Sequence, residues 1–241
     1  MMAIKPILFN TEMVRAILDG RKNCTRRIVK PQQLVGLLPD KCKNGMPENF
    51  LKERKFVFKP YCDMADAELI SSAYKPPYQP GDILYVRETW NYFYALDGNN
   101  QIIEETGRYY YRATDSFPYE EYVDASGKRH SNAPWRPSIH MPKEAARIWL
   151  KVMNVRVERL QEITEDEAVK EGIYQSNCKE CNAPFGCDAC PDEGYNEIDG
   201  FADLWNSTIK KSDLDRYGWD ANPWVWVIEF ERCDKPESEG N

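Results

Sequence analysis

Short runs in which apolar and polar residues alternate recur along the chain and predict β-strands, because alternate side chains of a strand point to opposite faces. Residues 83–90 are the clearest case, with Leu84, Val86, Glu88 and Trp90 on one face. Residues 147–160 predict a long strand whose apolar positions change parity near residues 153–154, which indicates a bulge. The same pattern predicts further strands at residues 7–9, 28–29, 55–59, 109–113 and 223–230.

Helical periodicity is limited to a few short segments. Asn10 or Thr11 can cap a helix with one apolar face, and Gly20 favours its end. A capping box at residues 164–167 predicts a helix through about residue 171, and a further helix begins near residue 201. Several strands with short helices between them predict an α+β fold built on a small, mostly antiparallel β-barrel.

Length and composition fit one soluble domain. The chain has 241 residues, 42% of them hydrophobic, so we expect a single domain over residues 1–233 with insertions at about 32–78 and 174–200. The polar residues 234–241 are expected to be a disordered tail. No run of about 18 apolar residues predicts a membrane span and no signal peptide is visible, so we expect a cytoplasmic protein with no membrane partner.

Charge is distributed unevenly along the chain. The formal net charge is −7, yet residues 158–199 hold twelve acidic and three basic residues, a local charge of −9, so the remainder carries +2. Residues 21–30 hold five basic residues and no acidic one. A basic run attracts anions, and the 12% aromatic content supplies rings on which bases can stack. The acidic total therefore does not exclude binding of nucleic acid.

Two CxxC pairs separated by five residues are the most specific chemical signal. Their spacing matches that of tetrahedral zinc sites, and residues 177–200 have too few apolar side chains for a core of their own. Four thiolates leave no open coordination position, so we expect one structural Zn per chain and no organic cofactor. An iron–sulfur cluster and free thiols are the alternatives. The predicted ligands are Cys178, Cys181, Cys187 and Cys190.

Four segments carry a likeness to a known family. One holds Gly20-Arg21-Lys22-x-x-Thr25-x-Arg27 after a strand and a helix, and the others are residues 81–90, 135–142 and 224–230. Together they resemble ASCH-domain proteins, and residues 135–142 are similar to a loop of the longer phage- and prophage-encoded members. The likeness covers most of the chain except residues 32–77, the cysteine insertion and the tail.

The resemblance implies a PUA-like β-barrel, a fold associated with RNA binding. Small bacterial ASCH proteins include amidohydrolases that remove the acetyl group of N4-acetylcytidine. They use a Lys, a Thr three residues later and a Glu in the helix after a Leu-x-x-Leu/Ile-Thr-Glu segment. The matching positions here are Lys22, Thr25 and Glu171, which the resemblance implies as catalytic. Between the Lys and the Thr these enzymes tend to have a Thr and an aliphatic residue, where this chain has Asn23 and Cys24.

This assignment is chemically coherent. A Thr hydroxyl is a poor nucleophile unless a base takes its proton, and a lysine amine can be that base when burial or a neighbouring cation lowers its pKa. Glu171 would orient the lysine or the substrate, and Glu88 is a second candidate carboxylate. The alternative is structural: a polar turn at residues 22–25, a solvated Glu171, and Glu88 paired with an arginine.

The other candidate site residues are basic, aromatic or polar groups in the same motifs. We expect them to bind the phosphates and bases of a substrate. For the proline-stiffened loop 132–142, a surface loop pinned by its tryptophan is the alternative. The candidates are Arg21, Arg26, Arg27, Arg87, Glu88, Trp90, Trp135, Arg136 and His140.

These observations favour a hydrolase acting on a modified nucleoside or RNA, by amide hydrolysis of the N4-acetylcytidine type. Two alternatives stay open. One is a non-catalytic reader of RNA or of a modified base, in which Trp90 or Trp135 stacks on the base. The other is a ribonuclease in phage–host conflict. If the protein is phage-encoded, it is expected to act in the cytoplasm of a bacterial host.

Overall fold

The computed structural model describes residues 3–30, 76–99, 101–116, 122–123, 129–130, 135–173 and 197–236. Outside these ranges lie the predicted strand at 55–59, nearly all of the insertion predicted at 32–78, the four cysteines predicted to bind zinc, and the end of the predicted tail. Those predictions stay predictions.

The described ranges contain nine strands and four α-helices. The strands are β1 (Ile4–Leu8), β2 (Cys24–Ile28), β3 (Ile83–Arg87), β4 (Trp90–Leu96), β5 (Ile102–Tyr111), β6 (Tyr122–Val123), β7 (Arg129–His130), β8 (Trp149–Arg159) and β9 (Trp224–Cys233). The helices are α1 (Thr11–Leu18), α2 (Glu165–Lys170), α3 (Glu197–Thr208) and α4 (Leu214–Tyr217). The α+β class is therefore as predicted. Within the described ranges the strands form open sheets, with no closed barrel.

The chain divides into two compact units, each made of separate stretches. The first comprises Met1–Gly20, Gly81–Lys151 and Glu231–Asn241, and the second comprises Arg21–Pro80 and Val152–Phe230. The predicted single domain over residues 1–233 stays a prediction.

In the first unit the strand order is β1-β3-β8. β1 is parallel to β3, and β3 is antiparallel to β8, with Leu84 opposite Leu150. The predicted start of α1 is confirmed, because the Asn10 side chain accepts a hydrogen bond from the Met13 amide at 2.8 Å. Gly20 follows the helix with a φ of +76°, a conformation that favours glycine.

The strand predicted over residues 83–90 is two strands, because the backbone turns away after Arg87 and Trp90 pairs with Tyr111 instead. All four side chains of the predicted face are buried, but Trp90 packs in the same cluster as Ile83, which the predicted alternation puts on the opposite face. β4 and β5 form an antiparallel hairpin. One core cluster of this unit consists of Ile83, Trp90, Met141, Ala145, Ala146 and Trp149.

In the second unit the order is β8-β9-β2, and β2 is antiparallel to β9 with Thr25 opposite Ile228. The sequence predicted a strand at residues 28–29, whereas β2 begins at Cys24 and ends at Ile28. The basic stretch is thus itself a strand, because pairing with the apolar β9 outweighs the local preference of its polar residues.

The other predictions for the second unit agree with the structure to within a few residues. The capping box of α2 is present between Thr164 and Glu167. Buried positions along β8 change parity between Val152 and Val157, as predicted. The helix predicted near residue 201 starts at Glu197. One core cluster of this unit consists of Cys24, Leu160, Ile163, Ala168, Phe201, Trp205, Val225 and Val227.

None of the helices in the described ranges is both long and apolar enough to cross a lipid bilayer.

Candidate functional site

Lys22 precedes β2 by two residues in the sequence and lies beside the C-terminal end of α2 in the fold. Its Nζ donates to Glu171 Oε2 at 2.6 Å and to the Glu171 backbone oxygen at 2.7 Å. The next residue fixes this position, because the Asn23 amide donates to Lys170 O and the Asn23 oxygen accepts from the Phe230 amide. A cation is favoured at the C-terminus of a helix, where the carbonyl groups point outward.

Both members of this pair are removed from water. Lys22 is 2% exposed and Glu171 is 3% exposed. Burial lowers the pKa of Lys22, although the adjacent Glu171 carboxylate acts in the opposite direction. A lysine in this state releases its proton more readily than a surface lysine, which is the property that a general base needs.

Arg26 joins the same carboxylate from β2. Its Nη1 donates to Glu171 Oε1 at 3.3 Å, and its Nη2 donates to Glu158 Oε1 at 2.5 Å and to Glu167 Oε2 at 2.9 Å. The Arg26 side chain is fully buried. Burial opposes its charge, but Glu171 and Glu158 outweigh this effect and raise the pKa of Arg26. One arginine therefore contacts three carboxylates.

Arg156 of β8 continues the network through two of the same carboxylates. It pairs with Glu158 at 3.1 Å, with Glu167, and with Glu229 of β9. Glu158 and Glu167 are thus each held between two arginines. The sequence interpretation missed Glu158, Glu167, Arg156 and Glu229. The acid-rich stretch 158–199 was the available signal, since it contains three of the four glutamates in the network.

Thr25 is buried on β2 and faces away from these charges. Alternation along the strand puts Cys24 and Arg26 on one face and Thr25 on the other. No hydrogen bond joins the Thr25 hydroxyl to Lys22 or Glu171, all three of which are described. The structure therefore brings Lys22 and Glu171 together and leaves Thr25 on a separate face of the strand.

Two more predicted residues lie on the same segment. Arg21 Nη1 donates to Gly172 O at 3.2 Å, next to the Lys22–Glu171 pair. Arg27 is half-buried, and burial lowers its pKa against the opposing effects of Tyr78 and Glu171. Cys24 is buried between these charges, and burial raises the pKa of its thiol to about 12, so the thiol stays neutral.

The remaining predicted residues belong to the first unit. Glu88 is 1% exposed and makes a two-point pair with Arg147, from Nε to Oε1 at 2.9 Å and from Nη2 to Oε2 at 3.0 Å. Arg147 also donates to Thr114 Oγ1 and lies 4.0 Å from the ring centroid of Tyr111. Glu88 is thus paired with an arginine, as the structural alternative predicted.

The loop 135–142 is tied to the strands of the first unit. Arg87 donates to the backbone oxygens of Met141 and Ile139. Arg136 pairs with Trp90 through two backbone hydrogen bonds, and its guanidinium lies 5.3 Å from the centroid of the Trp90 ring. Trp90 is only 5% exposed, so a base could stack on that face only after Arg136 moved away. Trp135 is half-buried and His140 is exposed.

A cleft of about 340 Å³ in the first unit contains none of the predicted site residues; it is lined by Asn10, Thr11, Glu12, Arg15 and Arg112. Among the residues that the structure describes, no three His, Cys, Asp or Glu side chains are grouped as metal ligands would be. The zinc prediction concerns cysteines outside that part of the chain.

Comparisons of the chain with models of protein families, with curated proteins and with solved structures found no match. The chemistry of the site is therefore the basis for a functional proposal.

Proposed function

We propose that the protein is a hydrolase of the ASCH type with a PUA-like core, acting on an acylated nucleoside or a modified base in RNA. Lys22, Thr25 and Glu171 are its catalytic residues in this proposal. The observation that carries it is the buried Lys22–Glu171 pair, whose members are 149 positions apart and match the motif positions of the amidohydrolases. A buried ion pair is often no more stabilising than apolar residues of the same volume, which favours a functional role.

The proposed reaction begins with proton transfer from the Thr25 hydroxyl to neutral Lys22. Thr25 Oγ1 then attacks the acetyl carbonyl carbon, the amide C–N bond breaks, and the exocyclic amine leaves with the proton that Lys22 returns. Water hydrolyses the resulting acetyl ester of Thr25 and releases acetate. Since Thr25 makes no described hydrogen bond to Lys22, this step requires the Thr25 hydroxyl to come within hydrogen-bond reach of Lys22 Nζ, directly or through one water.

The test is incubation of the purified protein with N4-acetylcytidine nucleoside and with acetylated RNA, followed by mass spectrometry of both. We expect the wild type to release acetate from at least one of them. Thr25→Val removes the hydroxyl and keeps the side-chain shape, so it should abolish turnover while preserving the fold, and Thr25→Ser should retain activity. A folded wild type that deacetylates neither substrate would overturn the proposal.

One observation favours a second candidate, a non-catalytic reader of RNA or of a modified base. Thr25 faces away from Arg26 and makes no hydrogen bond to Lys22 or Glu171, as a residue without a catalytic role would. A reader would bind acetylated RNA with an affinity that falls steeply with salt and would form no product. Thr25→Val would then leave the affinity unchanged. Degradation of labelled RNA in the same incubation would instead identify the ribonuclease alternative.

A further inference from the structure

The Glu171 carboxylate is shared between two cations. Its Oε2 accepts from Lys22 at 2.6 Å, and its Oε1 accepts from Arg26 at 3.3 Å. Each oxygen has its own donor, so the carboxylate cannot rotate without losing one of them. The acceptor that faces Lys22 is therefore fixed from the opposite side by Arg26.

Arg26 is itself held in place. Glu158 Oε1 accepts from both Nε and Nη2, Glu167 accepts from Nη2, and the guanidinium lies 5.7 Å from the centroid of the Phe201 ring. Arg156 holds the other oxygens of Glu158 and Glu167. The position of Arg26 is thus set by partners other than Glu171.

Among the described residues, the charged groups that act on Lys22 are Glu171 at the end of α2 and Arg27 on β2, with the neutral Cys24 thiol beside them. Arg26 binds the other oxygen of Glu171. Behind Arg26 lie the carboxylates of Glu158 and Glu167 and the guanidinium of Arg156. Arginine keeps its proton at all relevant pH values, so of the two cations on Glu171 only Lys22 can lose one.

We propose that Arg26 is a positioning residue for Lys22: by binding Glu171 Oε1 it fixes the carboxylate toward Lys22 and places a second positive charge on the carboxylate that Lys22 binds. Its meaning for catalysis rests on the proposed function, but its effect on Lys22 does not. Without Arg26 the Glu171 carboxylate would bind Lys22 alone. The Lys22 ammonium would then keep its proton to higher pH.

The test follows the titration of the Lys22 amine by NMR of ¹³C-lysine-labelled protein, with the Lys22 signal assigned by its loss in Lys22→Met. In Arg26→Gln we expect the titration midpoint to move to higher pH by about one unit. Arg156→Gln is the matched control, because Arg156 binds Glu158 and Glu167 as Arg26 does but makes none of the described contacts with Glu171. It should leave the midpoint within a few tenths of a unit of the wild type.

Arg26→Gln leaves three carboxylates with one partner fewer, so the double variant Arg26→Gln/Glu158→Gln restores the charge balance and should show the same upward shift. Equal midpoints in Arg26→Gln and wild type, or equal shifts in Arg26→Gln and Arg156→Gln, would overturn the role of Arg26. If the wild type deacetylates its substrate, the acidic limb of kcat against pH should move by the same amount as the NMR midpoint. If the wild type does not deacetylate its substrate, only the proposed function is contradicted. The NMR midpoint of Lys22 still tests the role of Arg26.

Discussion

Lys22 shows at the scale of one residue how position in the fold changes chemistry. Burial lowers its pKa from the ordinary 10.5, so between the folded-state pKa and 10.5 the unfolded chain binds one proton more at this residue than the folded protein does. The free energy of unfolding contributed by Lys22 should therefore rise with pH in that window, by up to about 1.4 kcal/mol for each pH unit.

Lys22→Met removes this titrating group and tests the slope. The difference in unfolding free energy between wild type and variant, measured by urea denaturation from pH 7 to pH 10, should grow in favour of the wild type. Lys143→Met, at an exposed lysine, is the matched control, and any slope common to both variants is not due to burial. A difference that falls with pH would contradict the effect of burial on Lys22.

Glu88 gives the corresponding case for a buried acid. Burial raises its pKa and Arg147 opposes that shift, so Arg147→Ala should leave an uncompensated carboxylate and cost about 3 kcal/mol at pH 7. A raised folded-state pKa means that stability is lost as pH rises from the ordinary value of 4.5. The cost should therefore shrink as pH falls toward 4.5.

Arg108→Ala is the matched control for this prediction. Arg108 also stacks on a tyrosine, 4.3 Å from the Tyr110 ring centroid, but none of the described contacts joins it to a carboxylate. Its removal should cost less than about 1 kcal/mol and show little pH dependence. Equal losses for both variants in urea denaturation would assign the effect to stacking rather than to Glu88.

Helix α2 matters at the scale of elements because it carries Glu167 and ends at Glu171. Thr164 Oγ1 accepts from the Glu167 amide, and the Glu167 carboxylate accepts from the Thr164 amide. Thr164→Ala should cost about 1 kcal/mol of unfolding free energy and increase hydrogen exchange at the amides of Ala168 and Glu171. Thr164→Ser keeps the oxygen and should behave as the wild type; a loss of the same size in both variants would show that the cap is not the cause.

The elements also show which features could be predicted from sequence. The buried face of Leu84 and Val86 and the cap of α2 depend on neighbouring residues, so local patterns were sufficient. The start of β2 was missed because Thr25 and Arg26 are polar and yet buried. Arg26 is stabilised there by Glu158, 132 positions away, and a local pattern holds no information on such a pairing.

For the site, the sequence motif predicted the partnership of Lys22 and Glu171, while the Arg26–Arg156 network became visible only in the structure. One structural alternative is decided by burial: Glu171 is a buried partner of Lys22, not a solvated helix residue. The motif positions identify residues of the site. The packing of α2 against β2 determines which atoms of those residues are in contact.

At the scale of the whole molecule, acidic and basic stretches that are far apart in sequence pair with each other. The acid-rich stretch 158–199 and the basic stretch 21–30 looked like independent features, yet Glu171, Glu158 and Glu167 are partners of Lys22 and Arg26. Part of the basic stretch is therefore neutralised inside the second unit. Fewer of its positive charges are left for the phosphates of a nucleic acid than the sequence suggests.

The cysteine insertion allows one prediction about the complete chain. Elemental analysis of the purified protein should find one zinc per chain, bound by Cys178, Cys181, Cys187 and Cys190. Cys178→Ser should reduce the zinc content, whereas Cys233→Ser, at a half-buried free cysteine of β9, should not. A wild type that contains iron, or no metal, would contradict the zinc assignment.

The double attachment of Glu158 and Glu167 has a consequence for how this protein can evolve. Each of these glutamates serves Arg26 and Arg156 at once, so a neutral replacement at either position removes a partner from both arginines. Viable descendants are expected to change the four positions together or not at all. An alignment of homologous sequences should show covariation among Arg26, Arg156, Glu158 and Glu167. The exposed residues of β5 should vary independently of these four positions.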